Sequence, residues 1–284
     1  MIVPGIVLKY LYKKPLVIYC HDLWPASLTT VGVNDRGLLY KIVKHISRFI
    51  YAQADELLIS SKSFEKYLRE ELSLKNEITY LPVYAEDLFG EVQSNIEQSE
   101  KLNLVFAGNV GEIQGVDDII KAANILKNEE NIVFHIVGDG TAHASCLELA
   151  QQYGLKNVVF HGRHPIEKMR EFYDKADAFL VSMKKNEVVS YTLPNKVQSY
   201  LAAGKPILGM IDGETKSVIE EANCGYCVDA ENYEELAKVI LRFKDESIKY
   251  EMFGQNAKKY YEQNFSKEDF LRSLMRFYKQ HIKE

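Results

Sequence analysis

The chain has 284 residues, which at roughly 150 per domain suggests about two domains, and its 46% hydrophobic content is enough to bury real cores and excludes a disordered or fibrous protein. With 35 Lys and Arg against 40 Asp and Glu the formal net charge is −5, without the basic excess of a nucleic-acid binder, so no nucleic-acid partner is expected. Four cysteines (Cys20, Cys146, Cys224, Cys227) are too sparse to staple a secreted domain, and no apolar run reaches the ~18 residues of a membrane span. Met1 is not followed by the features of a secretory leader, so a cytoplasmic location is expected, compatible with a peripheral position on the inner face of the membrane.

In chain order, "PLVIYC" (15–20), "ELLIS" (56–60) and "ITYLPV" (78–83) read as strands, separated by helices near 36–53 and 61–72. Three strands make an incomplete layer, and residues 1–85 are taken as a partial N-terminal domain. A polar, acidic stretch with little periodicity, 86–101, reads as a linker. From Leu102, apolar runs at 102–108, 132–138, 158–162, 178–183, 206–211 and 225–230 alternate with helices near 115–128, 142–153, 165–176, 195–203 and 214–222. Pro165 suits the first turn of the third of these helices and Gly204 the end of the fourth. Six strands in strict alternation predict a complete α/β, doubly wound domain over 102–265. The tail reads as two helices. The second, over 266–284, opens on a capping box, Ser266 with Asp269, and carries an apolar stripe of Leu271, Leu274, Met275 and Tyr278, expected to cross back onto the incomplete half.

In an open α/β sheet, ligands gather at the carboxyl ends of strands, where loop amides and helix N-termini favour phosphate. After 102–107 stands "GNVGEIQG", whose Gly108, Gly111 and Gly115 permit close backbone approach or serve as ordinary turn punctuation. After 178–183 a long polar stretch enters a helix through Thr192-Leu193-Pro194-Asn195-Lys196, with Asn195 or Thr192 available as cap. Lys196 in a first turn opposes the helix dipole, which points to an anionic partner. At the end of the first strand, "HDLWP" sets His21, Asp22 and Trp24 where a transferase needs polar groups, although a structural His–Asp pair accounts for them too.

Taken together, "LPNKVQSYLAAGKPIL", "CHDLWP", "LLISSKSFEKYL" and "VVFHGRHPIEKMREFYDKADAFLVSM" resemble the family 4 glycosyltransferases of the GT-B fold, in particular the bacterial branch that builds capsule, O-antigen and colanic-acid-type polysaccharides. The resemblance runs from about Lys14 to the C-terminus. It implies two Rossmann-like domains, a nucleotide-diphosphate sugar held mainly by the C-terminal one, and transfer with retention. A uridine diphosphate sugar is the expected donor and a glycan or lipid-linked molecule the expected acceptor. His21 matches the first-domain histidine that contacts the donor sugar. Gly108, Asn109, Val110 and Gly111 match the loop under the diphosphate, and Arg163 with His164 flank the nucleobase and ribose.

Departures from the family pattern bear on mechanism. Asn109 and Gln114 stand where many members carry an Arg and a Lys, leaving Lys196 as the countercharge. Tyr191 and Ser199 stand where the family's paired glutamates fall, and a serine hydroxyl is no acid or base near neutral pH. Neither a metal nor another cofactor is expected: no D-x-D pair follows a strand, and Asp117-Asp118 fall inside a helix. "CGYC" (224–227) reads as two buried thiols. Over 36–53, Leu38, Leu39, Ile42, Ile46, Phe49 and Ile50 share a face beside Arg36, Lys41, Lys44 and Arg48. That pattern suits either a packed helix with a solvated basic face or contact with an anionic membrane surface. The N-terminal part corresponds to about half of a domain of roughly 180 residues and is expected to lack its first ~100 residues. An uncovered sheet face and an exposed strand edge are therefore also expected, and either a separate chain supplies the missing half or activity is lost. Two readings compete with the transferase: a truncated nucleotide-sugar-binding module or half of a two-chain enzyme, and a GT-B-fold UDP-sugar epimerase.

Overall fold

A computed structural model describes residues 2–86, 101–246 and 248–281. The chain divides into two compact units. One gathers the described residues of 1–83, 186–193 and 266–284, the other those of 84–185 and 194–265. Most of the expected linker, 87–100, lies outside the described residues.

The first unit holds helix α1 (Ile2–Tyr12), strand β1 (Val17–Cys20), α2 (Leu38–Ala52), β2 (Glu56–Ile59), α3 (Phe64–Glu70) and β3 (Glu77–Tyr80). The three strands are parallel in the order β1-β2-β3, with Ile18 beside Leu57 and Leu57 beside Ile78. Alternation along each strand divides its side chains between two faces. Ile18, Cys20, Leu57 and Ile59 pack with Tyr51 of α2 and Phe64, Tyr67 and Leu68 of α3. On the other face Val17, Tyr19 and Leu58 meet Phe270, Leu274 and Phe277 of the last helix, α12 (Lys267–His281). This corrects the expectation of an uncovered sheet face, since α12 covers it. It corrects the stripe as well. Leu271, Met275 and Tyr278 are exposed, while Phe277, which lies between the expected positions, is buried. The capping box forms, with the Asp269 N–H donating to Ser266 Oγ at 3.1 Å. β1 has no strand on its outer edge among the described residues.

The second unit is a six-stranded parallel sheet, ordered β6-β5-β4-β7-β8-β9. Its elements are β4 (Leu102–Ala107), α4 (Val116–Ile125), β5 (Ile132–Val137), α5 (His143–Gln152), β6 (Val158–Gly162), α6 (Met169–Lys175) and β7 (Ala178–Ser182). A short helix, α7 (Glu187–Ser190), belongs to the first unit. The second then continues with α8 (Asn195–Ala202), β8 (Ile207–Met210), α9 (Glu214–Ala222), β9 (Gly225–Val228), α10 (Tyr233–Asp245) and α11 (Ile248–Asn264). The order reverses between β4 and β7, which places a topological switch point at their carboxyl ends. Continuous apolar runs make β4 and β7 buried at every position, as strands covered on both faces must be.

Local chemistry departs from expectation at several termini. Pro165 is not a first-turn residue: it sits in extended conformation ahead of a single 3-10 turn (166–168), and α6 starts only at Met169. Gly204 does close α8, at φ +65°, with its N–H on the Leu201 carbonyl. In "CGYC" Cys224 is buried but Cys227 is half-buried, and a Cβ on the intervening Gly225 would stand 1.9 Å from the Ile207 carbonyl oxygen.

Candidate functional site

The ends of β4 and β5 cross so tightly that only glycine fits. Gly108 follows β4 at φ +141° and Gly138 follows β5 at φ +134°, where a Cβ would lie 1.8 Å from the Gly108 carbonyl oxygen. The buried Tyr200 of α8 fixes the last residue of β4. Its hydroxyl accepts the Ala107 N–H at 2.8 Å and donates to the Ala107 carbonyl at 3.0 Å. Beyond Gly108, Val110 is fully buried, donating to the Asp139 carbonyl and accepting from the Ala142 N–H, both at 2.9 Å. Gln114 folds back rather than outward. Its Oε1 accepts from the Gly111 N–H at 3.1 Å and the Asn109 Nδ2 at 3.3 Å. Val110, Gly111 and Gln114 therefore build the loop from behind, while Gly108 and Asn109 face a cleft.

That cleft, of about 900 Å³, lies wholly in the second unit. Gly108, Asn109, Arg163, His164, Asn195, Lys196 and Ser199 line it, so residues spread over 90 positions meet as expected. The sequence reading missed Glu86, Gly138, Asp139, Gly140, Thr141, Ile166, Met169 and Tyr173. A signal for some of them exists in "VGDGT": it follows the strand neighbouring β4 and carries two glycines, the second without room for a Cβ, which would stand 2.5 Å from the Val110 carbonyl oxygen.

Lys196 is the chemical centre of the cleft. Neither Thr192 nor Asn195 caps α8. The N-cap is Pro194, extended at ψ 138° and offering no side-chain bond, which leaves Asn195 and Lys196 in the first turn. Lys196 is half-buried as a residue, but its Nζ is closed off from solvent, makes no hydrogen bond, and sits 3.8 Å from the centre of the Phe106 ring. A Cβ on Gly108 would come within 3.0 Å of this nitrogen. Burial pushes the ammonium down to about 7. A buried cation with no acceptor is costly, and the adjoining helix N-terminus repels it further. An anion placed among Lys196, the Gly108 loop and the start of α8 would relieve both costs.

Other ionisable groups near the loop are already paired. Asp117 and the buried Asp118, in the first turn of α4, receive Lys184 at 2.7 and 2.6 Å and Lys121 at 3.1 and 2.6 Å. Against the burial penalty, these lysines hold the Asp117 carboxyl below its ordinary range. Behind the Arg163–His164 wall, His135 Nδ1 lies 2.9 Å from His161 Nε2, and His135 Nε2 lies 3.2 Å from Asn103 Oδ1. Burial, aided by the Lys175 charge, pushes His135 down to about 4.

The remaining expected residues belong to the first unit. His21 is exposed after β1, its ring 4.1 Å from that of Tyr19. Tyr191 accepts from Ser61 Oγ through its carbonyl at 2.5 Å and donates its hydroxyl to Glu187 at 2.9 Å; Leu193 is buried. Thr192 hydrogen-bonds back to the Val189 carbonyl. Tyr191, Thr192 and Leu193 are thus part of the first unit, to which α7 ties this segment, and are not among the lining residues of the cleft.

A doubly wound sheet with a glycine-bounded cleft at its switch point is the architecture in which α/β domains bind ligands outside the carboxyl ends of their strands. Residues 91–260 match the family described as glycosyl transferases group 1, and the chain belongs to that family. The likeness extends to whole sequences. Probable glycosyltransferase WbjE of Pseudomonas aeruginosa is 25% identical over 245 residues, covering 82% of this chain and 61% of the relative. WcaI of Escherichia coli (strain K12), a glycosyl transferase named for colanic acid biosynthesis, is 27% identical over 188 residues, covering 64% of this chain and 44% of the relative. The chain thus spans less than two thirds of the length of these curated relatives. Among solved structures, Anabaena Alr3699/HepE in complex with UDP superposes with a TM-score of 0.81 at 14% identity, covering 98% of this chain and 76% of that one. That likeness places the fold as an α/β, GT-B type with Rossmann-like sheets. No helix among the described residues is long and apolar enough to cross a membrane.

Proposed function

We propose that this chain takes part in retaining transfer of a sugar from a uridine diphosphate sugar to a glycan or lipid-linked acceptor in bacterial surface polysaccharide synthesis. The observation that carries the proposal is the buried, unpaired Lys196 at a glycine-bounded cleft. As the sugar–phosphate bond breaks, negative charge grows on the departing diphosphate. The turn at Gly108 and Asn109, the N-terminus of α8 and the Lys196 ammonium are preorganised to receive it, with no metal or other cofactor taking part. Arg163 and His164 take the nucleoside end, and Ser199, hydrogen-bonded to Tyr173, offers a hydroxyl to ribose or phosphate. Contact of His21 with the donor sugar, carried by the family resemblance, belongs to the same proposal, as does work at the cytoplasmic face of the membrane.

Calorimetric titration of the full chain with UDP, beside ADP and GDP, tests the donor site. Micromolar to millimolar binding with preference for UDP is expected, and absence of UDP binding refutes the reading. A second reading, half of a two-chain enzyme, is favoured by the outer edge of β1, which has no partner strand among the described residues. Sugar transfer by the purified chain to a glycan acceptor would exclude it.

A further inference from the structure

A chain of polar side chains crosses the second unit where its strand pattern calls for apolar ones. Parallel strands covered on both faces normally bury Val, Ile and Leu. Asn103 of β4 and His135 of β5 are nevertheless buried there. They connect Asp177, just ahead of β7, to His161 of β6.

Donor and acceptor rules fix the protons along this chain. Asn103 Nδ2 faces two acceptors, the Lys101 carbonyl at 3.0 Å and Asp177 Oδ2 at 3.1 Å, so its amide has one orientation and Oδ1 must accept. His135 Nε2, 3.2 Å from that oxygen, therefore carries the hydrogen. Burial keeps His135 neutral at pH 7, which leaves its Nδ1 bare and makes His161 Nε2 the donor across 2.9 Å. Burial, with the Lys175 and His164 charges, also pushes His161 down, so its own Nδ1 is bare.

The chain ends at the wall of the cleft. Between β5 and β6 the register slips by one residue. Ile136 stands beside Phe160 but Val137 beside Gly162, which makes His161 the extra residue of a bulge. Bulges re-aim groups next to functional sites. Here the His161 carbonyl accepts from His164 Nε2 at 3.1 Å, and the rings of His161 and His164 each lie 4.9 Å from that of Phe172 in α6. A carbonyl only accepts, so His164 is held by its Nε2–H while its ring stands in the lining of the cleft.

We propose that His135 and His161 are positioning residues for the nucleoside of the donor. Their hydrogen bond pins the bulge, and the bulge carbonyl holds His164 as a fixed wall. Burying such a polar chain costs desolvation that two apolar side chains would avoid, and a wall fixed at its end accounts for its presence. The inference rests on the donor reading of the cleft and names the residues that set its nucleoside end.

Two measurements on the full chain test it. Nitrogen NMR of isotope-labelled histidine rings at pH 7 should show His135 and His161 both as Nε2–H tautomers, and an Nδ1–H tautomer at either overturns the proposal. This reading uses the wild type alone and stands even where a variant fails to fold. Calorimetric titration with UDP and with inorganic pyrophosphate then separates the nucleoside end from the phosphate end. His161→Leu should lower UDP affinity about 5- to 10-fold, the worth of a lost hydrogen bond, and leave pyrophosphate affinity unchanged. His161→Gln, whose side-chain amide offers an N–H in place of Nε2–H, should restore most of the UDP affinity. Equal losses for UDP and pyrophosphate would make the chain a support of the fold alone and overturn the proposal. UDP affinity untouched by His161→Leu, or a glutamine variant as weak as the leucine one, does the same. Absence of UDP binding by the wild type is a distinct outcome, which removes the donor reading and this inference with it.

Discussion

Replacing Lys196 with Met separates what this residue does for the protein from what it does for a ligand. Methionine keeps the length of the stem and removes the charge, which in the unliganded chain lies against Phe106 with no acceptor. The ammonium titrates near 7 when folded and near 10.5 when free, so folding is penalised fully below pH 7 and the penalty disappears as pH rises toward 10.5. Lys196→Met should therefore stabilise the unliganded chain by about 2–4 kcal/mol at pH 7, with the gain shrinking steadily to pH 10. Binding should move the other way. A charge-assisted bond to phosphate is worth about 1.5–3 kcal/mol, so UDP affinity should fall roughly 10- to 100-fold. In the wild type a bound diphosphate restores the proton, and at pH 8 about 0.9 proton should be taken up per UDP bound. Calorimetry at pH 8 in phosphate and in Tris measures this as a difference in binding enthalpy. Equal enthalpies in the two buffers, with UDP bound, would show that Lys196 does not change protonation. A variant both less stable and equally tight for UDP would refute the whole line of reasoning.

Two further outcomes follow from the packing. Gly138→Ala places a methyl group 1.8 Å from the Gly108 carbonyl oxygen at a φ of +134°, so a loss above about 3 kcal/mol is expected, read by denaturant unfolding. His135, held near 4 when folded against about 6.5 when free, should make stability fall as pH drops from 6.5 toward 4, by up to about 3 kcal/mol. Melting curves of wild type and His135→Leu across that range check it, since the variant should lose this share of the slope.

Much of the second unit is legible in the sequence because its strands are covered on both faces. Runs such as "LNLVFA" have no polar side to confuse with a helix, and glycines punctuate their ends. The first unit resists the same treatment. An amphipathic pattern in α2 tells that one face differs from the other, but which face is sheltered depends on where Tyr40, Ser47 and Tyr51 find the core. In α12 the stripe was misplaced for a related reason. Phe270, Leu274 and Phe277 form an i, i+4, i+7 line as regular as the expected one, and only the sheet surface chooses between them. At the cleft, Gly108, Asn109, Arg163, His164, Asn195, Lys196 and Ser199 were legible through their spacing and strand-end positions. The sealing of the Lys196 nitrogen was not, because it arises from Phe106, a residue 90 positions earlier. Nor was the diversion of Tyr191 and Thr192, which depends on a four-residue helix capped by Asn186 and bound to Ser61 through the Tyr191 carbonyl.

The dispersed make-up of the first unit sets the order in which the chain matures. Its strands leave the ribosome before the second unit does, yet one face of their sheet is closed by Phe270, Leu274 and Phe277, some 190 residues after Val83. At 5–20 residues per second, Val17, Tyr19 and Leu58 wait on the order of ten seconds or more for that cover. The second unit, complete by Phe265, can close in the meantime. During synthesis these three strands are therefore sheltered only after the second unit is complete, and this interval is when a chaperone has most to offer the chain.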